Sequence, residues 1–182
     1  LRLLLGRVGD EDPTLGFDSP EQLLQFLRTR VATESNIVSA TELMTDAMRA
    51  TTDDGRKRIA LTRQGAGLAS GFSQAMEIRF GKEAASGATK GALFGAGYAK
   101  LANATVIDKT DERAVLVWPQ LPGQDRNLSM IAADGRWYLD ADDIDPIERA
   151  SMIQAPRVIA AMQDLTDRLR NGEFNSPEEL LK

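Results

Sequence analysis

The chain has 182 residues, and its 22 basic and 27 acidic side chains leave a net charge of −5 at pH 7. This length fits one domain, or one domain with a helical appendage, and the acidic balance argues against a nucleic-acid partner. Cysteine and histidine are both absent. Their absence excludes disulfides, thiolate nucleophiles, Ser-His-Asp catalysis and nearly every zinc site.

The N-terminal third of the sequence predicts helices. Ser19 as N-cap, Pro20 at the first helical position and Gln22 as the closing residue form a capping box, which predicts a helix start. Ser39 and Glu42 form a second capping box. A third helix is expected over residues 56–80, whereas the glycine-rich pattern of residues 81–100 leaves helix and loop both open.

Residues 104–140 predict a meander of four short antiparallel strands. Asp134-Gly135 suits a type I′ turn, which places Ala132 opposite Trp137. One face of this hairpin is then apolar, with Leu128, Met130, Ala132, Trp137 and Leu139. The other face is mixed, with Ser129, Ile131, Tyr138 and Asp140.

The first hairpin of the meander can be aligned by charge. A loop at residues 110–111 would place Lys109 opposite Glu112 and Asp108 opposite Arg113. The same register puts Val106 against Val115.

A C-terminal helix should begin at Asp145-Pro146, be kinked or restarted by Pro156, and stop at Gly172. Its inward stripe is predicted to be Val158, Ile159, Met162, Leu165 and Leu169.

The predicted fold class is α+β, with N-terminal helices packed on the meander and followed by the kinked C-terminal helix. We expect an apolar lead and acidic connector at residues 1–18 and an α+β domain at 19–141. A helical segment at 142–182 should pack on the same domain.

One octapeptide occurs twice. Residues 17–24 (Phe-Asp-Ser-Pro-Glu-Gln-Leu-Leu) recur at 174–181 as Phe-Asn-Ser-Pro-Glu-Glu-Leu-Leu, with six identities in eight. The two copies are either independent helix starts or the openings of two domain repeats. We favour helix starts, because an eight-residue match is weak evidence of a repeat.

Acidic residues are densest from Asp140 to Glu148. Such carboxylates could hold calcium or magnesium, but Asp145 and Ser151 stand where an EF-hand needs glycine and glutamate. Acidic residues also gather at helix N-termini, where the helix dipole favours them. We therefore predict capping, no metal, no cofactor, and an Asp140 that is mostly exposed.

The mixed face provides the candidate ligand-binding residues Ser129, Ile131, Tyr138 and Asp140. If helices cover this face, it lines a small-molecule pocket in which Asp140 and Tyr138 could act as an acid/base pair. If they do not, it is a solvated sheet face or an interface between copies of the chain.

The order of helices before a meander, the opening octapeptide at residues 17–24 and the strand Asp134-Gly-Arg-Trp-Tyr-Leu-Asp140 resemble the NTF2-like (cystatin-like) superfamily, in particular its bacterial exported members. The resemblance implies a curved sheet that wraps a helix and binds small molecules or proteins. No strand is predicted among the first helices.

We therefore expect a non-enzymatic binding or structural module of an exported or envelope-associated bacterial protein, with a small-molecule or protein ligand. The chain begins at Leu1 without a methionine, so a signal peptide could have preceded it, although none is visible in the sequence. No apolar run approaches transmembrane length. The alternatives are an isomerase or dehydratase that uses Asp140 and Tyr138, and a homo-oligomer that meets through the mixed face.

Overall fold

The computed structural model describes residues 15–85, 98–121 and 124–181. The first part contains helix α1 (Pro20–Phe26), a π-helical turn (Leu27–Val31), helix α2 (Ile37–Asp46), strand β1 (Met48–Arg49) and helix α3 (Asp53–Phe80). A 3-10 turn (Ala99–Asn103) then precedes strands β2 (Thr105–Ile107), β3 (Arg113–Leu121), β4 (Gln124–Ala133) and β5 (Arg136–Asp140). Helix α4 (Pro146–Arg170) and a 3-10 turn (Pro177–Leu181) follow.

The strands form one mixed sheet in the order β1-β5-β4-β3-β2. The α+β class is confirmed. The antiparallel pairs β2–β3, β3–β4 and β4–β5 are also as predicted. The expectation of a purely antiparallel four-stranded sheet is wrong, because β1 pairs in parallel with β5. The Leu139 N–H donates to the Ala47 carbonyl at 2.8 Å, and the Ala141 N–H donates to Arg49 at 3.0 Å. A two-residue strand is too short to show a periodic pattern in the sequence.

The second hairpin has the predicted register. Ala132 pairs with Trp137 and Met130 pairs with Leu139. Asp134 and Gly135 have φ values of 51° and 74°, which is the positive region that a type I′ turn requires at both central positions. Local turn chemistry therefore set this pairing.

The first hairpin is shifted by one residue from the predicted register. Val106 pairs with Leu116 rather than with Val115, and Lys109 instead forms an ion pair with Glu21 at 2.6 Å. The observed register turns Val106 and Leu116 toward the core. Exposed charge pairs contribute less than about 1 kcal/mol, so burial of the apolar side chains outweighed them.

The core lies between one face of the sheet and the helices α1 and α2, and we call this part the sheet lobe. Leu23, Leu27 and Val31 from the helical side are fully buried. They pack with side chains from three strands: Leu116, Leu128, Met130, Trp137 and Leu139. The predicted apolar face is thus the core face.

Two of the predicted helix starts are correct. The Ser19 hydroxyl accepts the Gln22 N–H at 3.2 Å, and the Asp145 carboxylate caps α4 with Pro146 at its first position. Helix α2, however, begins at Ile37, because the Asn36 side chain accepts the N–H groups of residues 38 and 39. Asparagine caps as well as serine does, and it comes earlier in the chain.

Helix α4 continues through Pro156 to Arg170 instead of restarting. It stops as predicted at Gly172, whose φ is 76°. The repeated octapeptide folds into helical turns at both places, and the backbone N–H of Asn175 bonds to Glu179 as that of Asp18 bonds to Gln22.

Helices α3 and α4 lie side by side in parallel, and we call this pair the helical arm. At its base Arg149 forms an ion pair with Asp54, and at its far end Arg79 donates to the carbonyl of Phe174 at 2.9 Å. With 28 and 25 residues, the helices are each about 40 Å long. A small second core closes the far end: Ala75, Met76, Ala85, Leu169 and Phe174. Within the described residues, no helix is both long and apolar enough to cross a membrane.

Candidate functional site

The four predicted ligand-binding residues share the sheet face that points away from the core, which we call the outer face. Ile131 pairs with Tyr138 across β4 and β5. Tyr138 and Asp140 are only 8% and 6% exposed, and Ser129 and Ile131 are half-buried. The sequence therefore grouped these residues correctly.

The outer face is open at its β2–β3 side. The side chain of Arg113 is 67% exposed, and Ile107 is 45% exposed. Thr105, which shares this face with Ile107, is also exposed. A helix-covered pocket of the predicted kind would bury these positions, so the structure favours an exposed surface.

Tyr138 is packed beneath a cation. The Arg49 guanidinium lies 5.4 Å from the centre of the tyrosine ring, a cation–π distance. Arg49 also bonds to Asp134 at 2.6 Å, and chiefly because of this hydrogen bond the pKa of Arg49 is raised. Gly16 closes over the hydroxyl, since a Cβ at that position would come within 2.8 Å of the tyrosine oxygen.

Asp140 is buried, and the expectation that it would be mostly exposed is wrong. Its carboxylate accepts the Asp142 N–H at 2.9 Å and the Arg113 Nη2 at 3.3 Å. Arg113 reaches Asp140 across β4, from a position 27 residues earlier in the chain. The sequence showed the acidic run but not this cation.

Ser129 also has a partner within the protein. Its hydroxyl donates to the carboxylate of Asp143, just after β5. The three polar candidates are thus engaged in contacts that attach the end of β5 to its neighbours. Ile131 contributes an apolar side chain to the same face.

The acidic run continues into a junction between β5, α3 and α4. The Asp142 carboxylate accepts both backbone and hydroxyl hydrogens of Thr51, at 2.8 and 2.6 Å. It accepts those of Thr52 at 3.2 and 2.7 Å. Burial by itself would raise the pKa of Asp142, but these four hydrogen bonds outweigh it and hold the pKa below its ordinary value.

Arg58 forms the centre of this junction. Its guanidinium donates to both oxygens of Glu148, at 2.7 and 2.9 Å. The Nη1 atom also donates to the carbonyls of Asp140, Ala141 and Asp143, at 3.1, 3.4 and 3.2 Å. We call Arg58, Glu148 and Asp142 with its two threonines the joint. Across the described chain, no three acidic side chains gather as a metal site would require.

A second feature lies on the helical arm, where an apolar groove of about 120 Å³ runs between α3 and α4. Its lining is aliphatic or small: Leu61, Gly65, Leu68, Ala69, Ala155, Val158, Ile159 and Met162. Val158 was predicted to face inward but is 53% exposed. Three of the lining residues, Gly65, Ala69 and Ala155, are small, and the periodicity of large apolar residues does not record them.

Comparisons with known proteins give one informative match. No family model matches the chain, and no solved structure shows significant similarity to it. The chain is 30% identical to the chromosome partition protein Smc of Mycobacterium tuberculosis (strain ATCC 25618 / H37Rv) over an alignment that is 189 positions long. The match includes 90% of this chain but only 16% of the length of that protein. The NTF2-like resemblance stays a prediction.

The joint makes Arg58 a residue on which stability should depend. Arg58→Ala leaves three carbonyls and Glu148 without their cation, so we expect the free energy of unfolding to fall by about 3 kcal/mol. Urea unfolding measures this loss. Lys57→Ala, at the preceding and exposed position of the same helix, is the control and should cost under about 1 kcal/mol. Equal losses in the two variants would contradict the role of the joint.

Asp142 should make stability depend on pH in a defined direction. Because its folded pKa lies below the unfolded value of about 3.9, its contribution is present above that value and is lost as pH falls through the folded pKa. The stability gap between the unaltered chain and Asp142→Asn should therefore be constant from about pH 7 to pH 5 and shrink below about pH 4. Urea unfolding at each pH measures the gap. A gap that widens in acid would be inconsistent with the carboxylate being held ionised.

Proposed function

We propose that the chain is a non-enzymatic binding or structural module whose ligand surface is the outer face. The observation that carries this proposal is the engagement of Asp140, Tyr138 and Ser129 in contacts within the protein. A general acid or base must exchange a proton with a substrate. The carboxylate of Asp140 instead accepts hydrogens from Arg113 and from its own chain.

The shape of the outer face favours a protein ligand. Small-molecule sites are concave and enclose most of their ligand, whereas this surface leaves Arg113 and Ile107 well exposed. Val115, which pairs with Ile107, and Val117, which pairs with Thr105, are half-buried on the same face. An open surface that mixes aliphatic side chains with an arginine has the composition of a protein contact.

The biological setting rests on two different resemblances. The NTF2-like resemblance supports an exported or envelope-associated bacterial protein. The similarity to Smc supports a second candidate, a structural part of a chromosome partition protein. In that setting, the net charge of −5 favours a protein-facing role over a DNA-facing one.

The alternative enzyme, an isomerase or dehydratase that uses Asp140 and Tyr138, makes a contrary prediction about stability. Catalytic groups are often held at a cost in stability, so replacing one typically leaves the fold as stable or more stable. For a structural Asp140 we expect Asp140→Asn to lower the free energy of unfolding by about 1–3 kcal/mol, because a buried charge-assisted hydrogen bond is lost. Urea unfolding decides between the two.

Asp111→Asn is the control, since Asp111 is an exposed carboxylate in the loop between β2 and β3. It should change stability by less than about 1 kcal/mol. An Asp140→Asn variant more stable than the unaltered chain would favour the enzyme and would count against the binding module.

Whether the chain binds DNA, as a part of a chromosome partition protein could, can be tested directly. Fluorescence anisotropy with a duplex of about 30 base pairs in low salt should show no binding tighter than about 100 µM, because non-specific binding needs several uncompensated cations. Binding that weakens steeply with salt, and that is lost when Arg56 and Lys57 are changed to glutamine, would instead establish a DNA contact at the start of α3.

A further inference from the structure

The chain at the end of β5 is bonded on two sides. The carboxylate of Asp140 lies on the outer face, where Arg113 of β3 donates to it at 3.3 Å, and the carboxylate of Asp143 accepts from Ser129 of β4. The backbone carbonyls of the same two residues accept from the guanidinium of Arg58, at 3.1 and 3.2 Å. Each of the two residues therefore contacts the proposed ligand surface through its side chain and the joint through its backbone.

Arg113 is the exposed member of this connection. Its side chain is 67% exposed, whereas those of Asp140 and Arg58 are each 8% exposed. The bond from Arg113 to Asp140 engages one guanidinium nitrogen, and arginine binds a carboxylate best through two parallel N–H donors. A carboxylate brought by a ligand can therefore compete with Asp140 for this side chain.

We propose that Arg113 couples the outer face to the helical arm, so that drawing its guanidinium away from Asp140, as a ligand carboxylate would, loosens the joint. The inference rests on the proposed function, because it needs a ligand on the outer face. Without Arg113, the buried carboxylate of Asp140 keeps the Asp142 N–H as a donor, at 2.9 Å. A buried charge that is short of donors is unfavourable, and water supplies donors once the turn after β5 opens.

The effect on the arm follows from the contacts of Arg58. Its guanidinium donates to three carbonyls of the turn after β5 and to both carboxylate oxygens of Glu148 on α4. A turn that opens withdraws those carbonyls and so weakens the hold of α3 on the base of α4. The coupling is reciprocal, because a ligand that loosens the joint binds more tightly when the joint is already loose.

Hydrogen exchange at the Nε atom of Arg58 measures the joint directly, since its proton is donated to Glu148 over an Nε–oxygen distance of 2.7 Å. The NMR measurement needs no ligand, because Arg113→Gln removes the cation as a competing carboxylate would. We expect about tenfold faster exchange in Arg113→Gln, which is the effect of taking one donor from a buried charge. Lys109→Gln is the control, because it breaks another exposed ion pair, with Glu21. It should change the exchange by less than about twofold.

A second substitution separates this coupling from a general loss of stability. Asp140→Asn removes the buried charge, so the side chain at this position no longer needs a cation. In the Asp140→Asn background, Arg113→Gln should therefore change the exchange of the Arg58 proton by less than about twofold.

Two results would overturn the coupling. One is an effect of Arg113→Gln no larger than that of Lys109→Gln, and the other is an equal effect of Arg113→Gln with and without the Asp140 carboxylate. Both concern contacts within the chain, so neither bears on whether the outer face binds a protein. A ligand found to bind elsewhere would refute the proposed function and leave the exchange result unchanged.

Discussion

The buried guanidinium of Arg58 is the interaction on which the arrangement of this molecule depends. The chain leaves β5, turns, and begins α4 within six residues, and three carbonyls of that stretch point at one cation. Arg58 belongs to α3, and the same cation binds Glu148 of α4 through both carboxylate oxygens. A planar fork can satisfy these acceptors together, which a lysine could not. Arg58 therefore holds the base of the helical arm to the end of β5, and Asp142 adds hydrogen bonds to Thr51 and Thr52, which lie between β1 and α3.

The residues predicted to bind a ligand also have structural roles in this fold. Asp140, Tyr138 and Ser129 are residue types that catalytic sites use, and they do lie together on one face. Each is placed where β5 meets a neighbouring segment, and each accepts, donates or stacks there. Buried polar groups need such partners, since an unmatched one costs about 1–3 kcal/mol. Because these polar groups are bonded within the protein, a ligand on the outer face would contact mainly its aliphatic side chains and the exposed Arg113.

Interactions within a few residues could be predicted from the sequence, and interactions between distant residues could not. The Ser19 cap, the Asp134-Gly135 turn and the Asp145-Pro146 helix start are each complete within four residues, so their chemistry is legible in the chain. The alternation of apolar residues likewise set the core face of β4 and β5. Strand β1, the shifted first hairpin and the burial of Asp140 depend on partners from other elements, where no local pattern records the pairing. Arg58 and Glu148 stand 90 positions apart, and in the sequence each is one charge among 49. Only the tertiary structure brings Arg58 and Glu148 into contact. There the buried cation and its acceptors replace the hydrogen bonds that each would make with water in the unfolded chain.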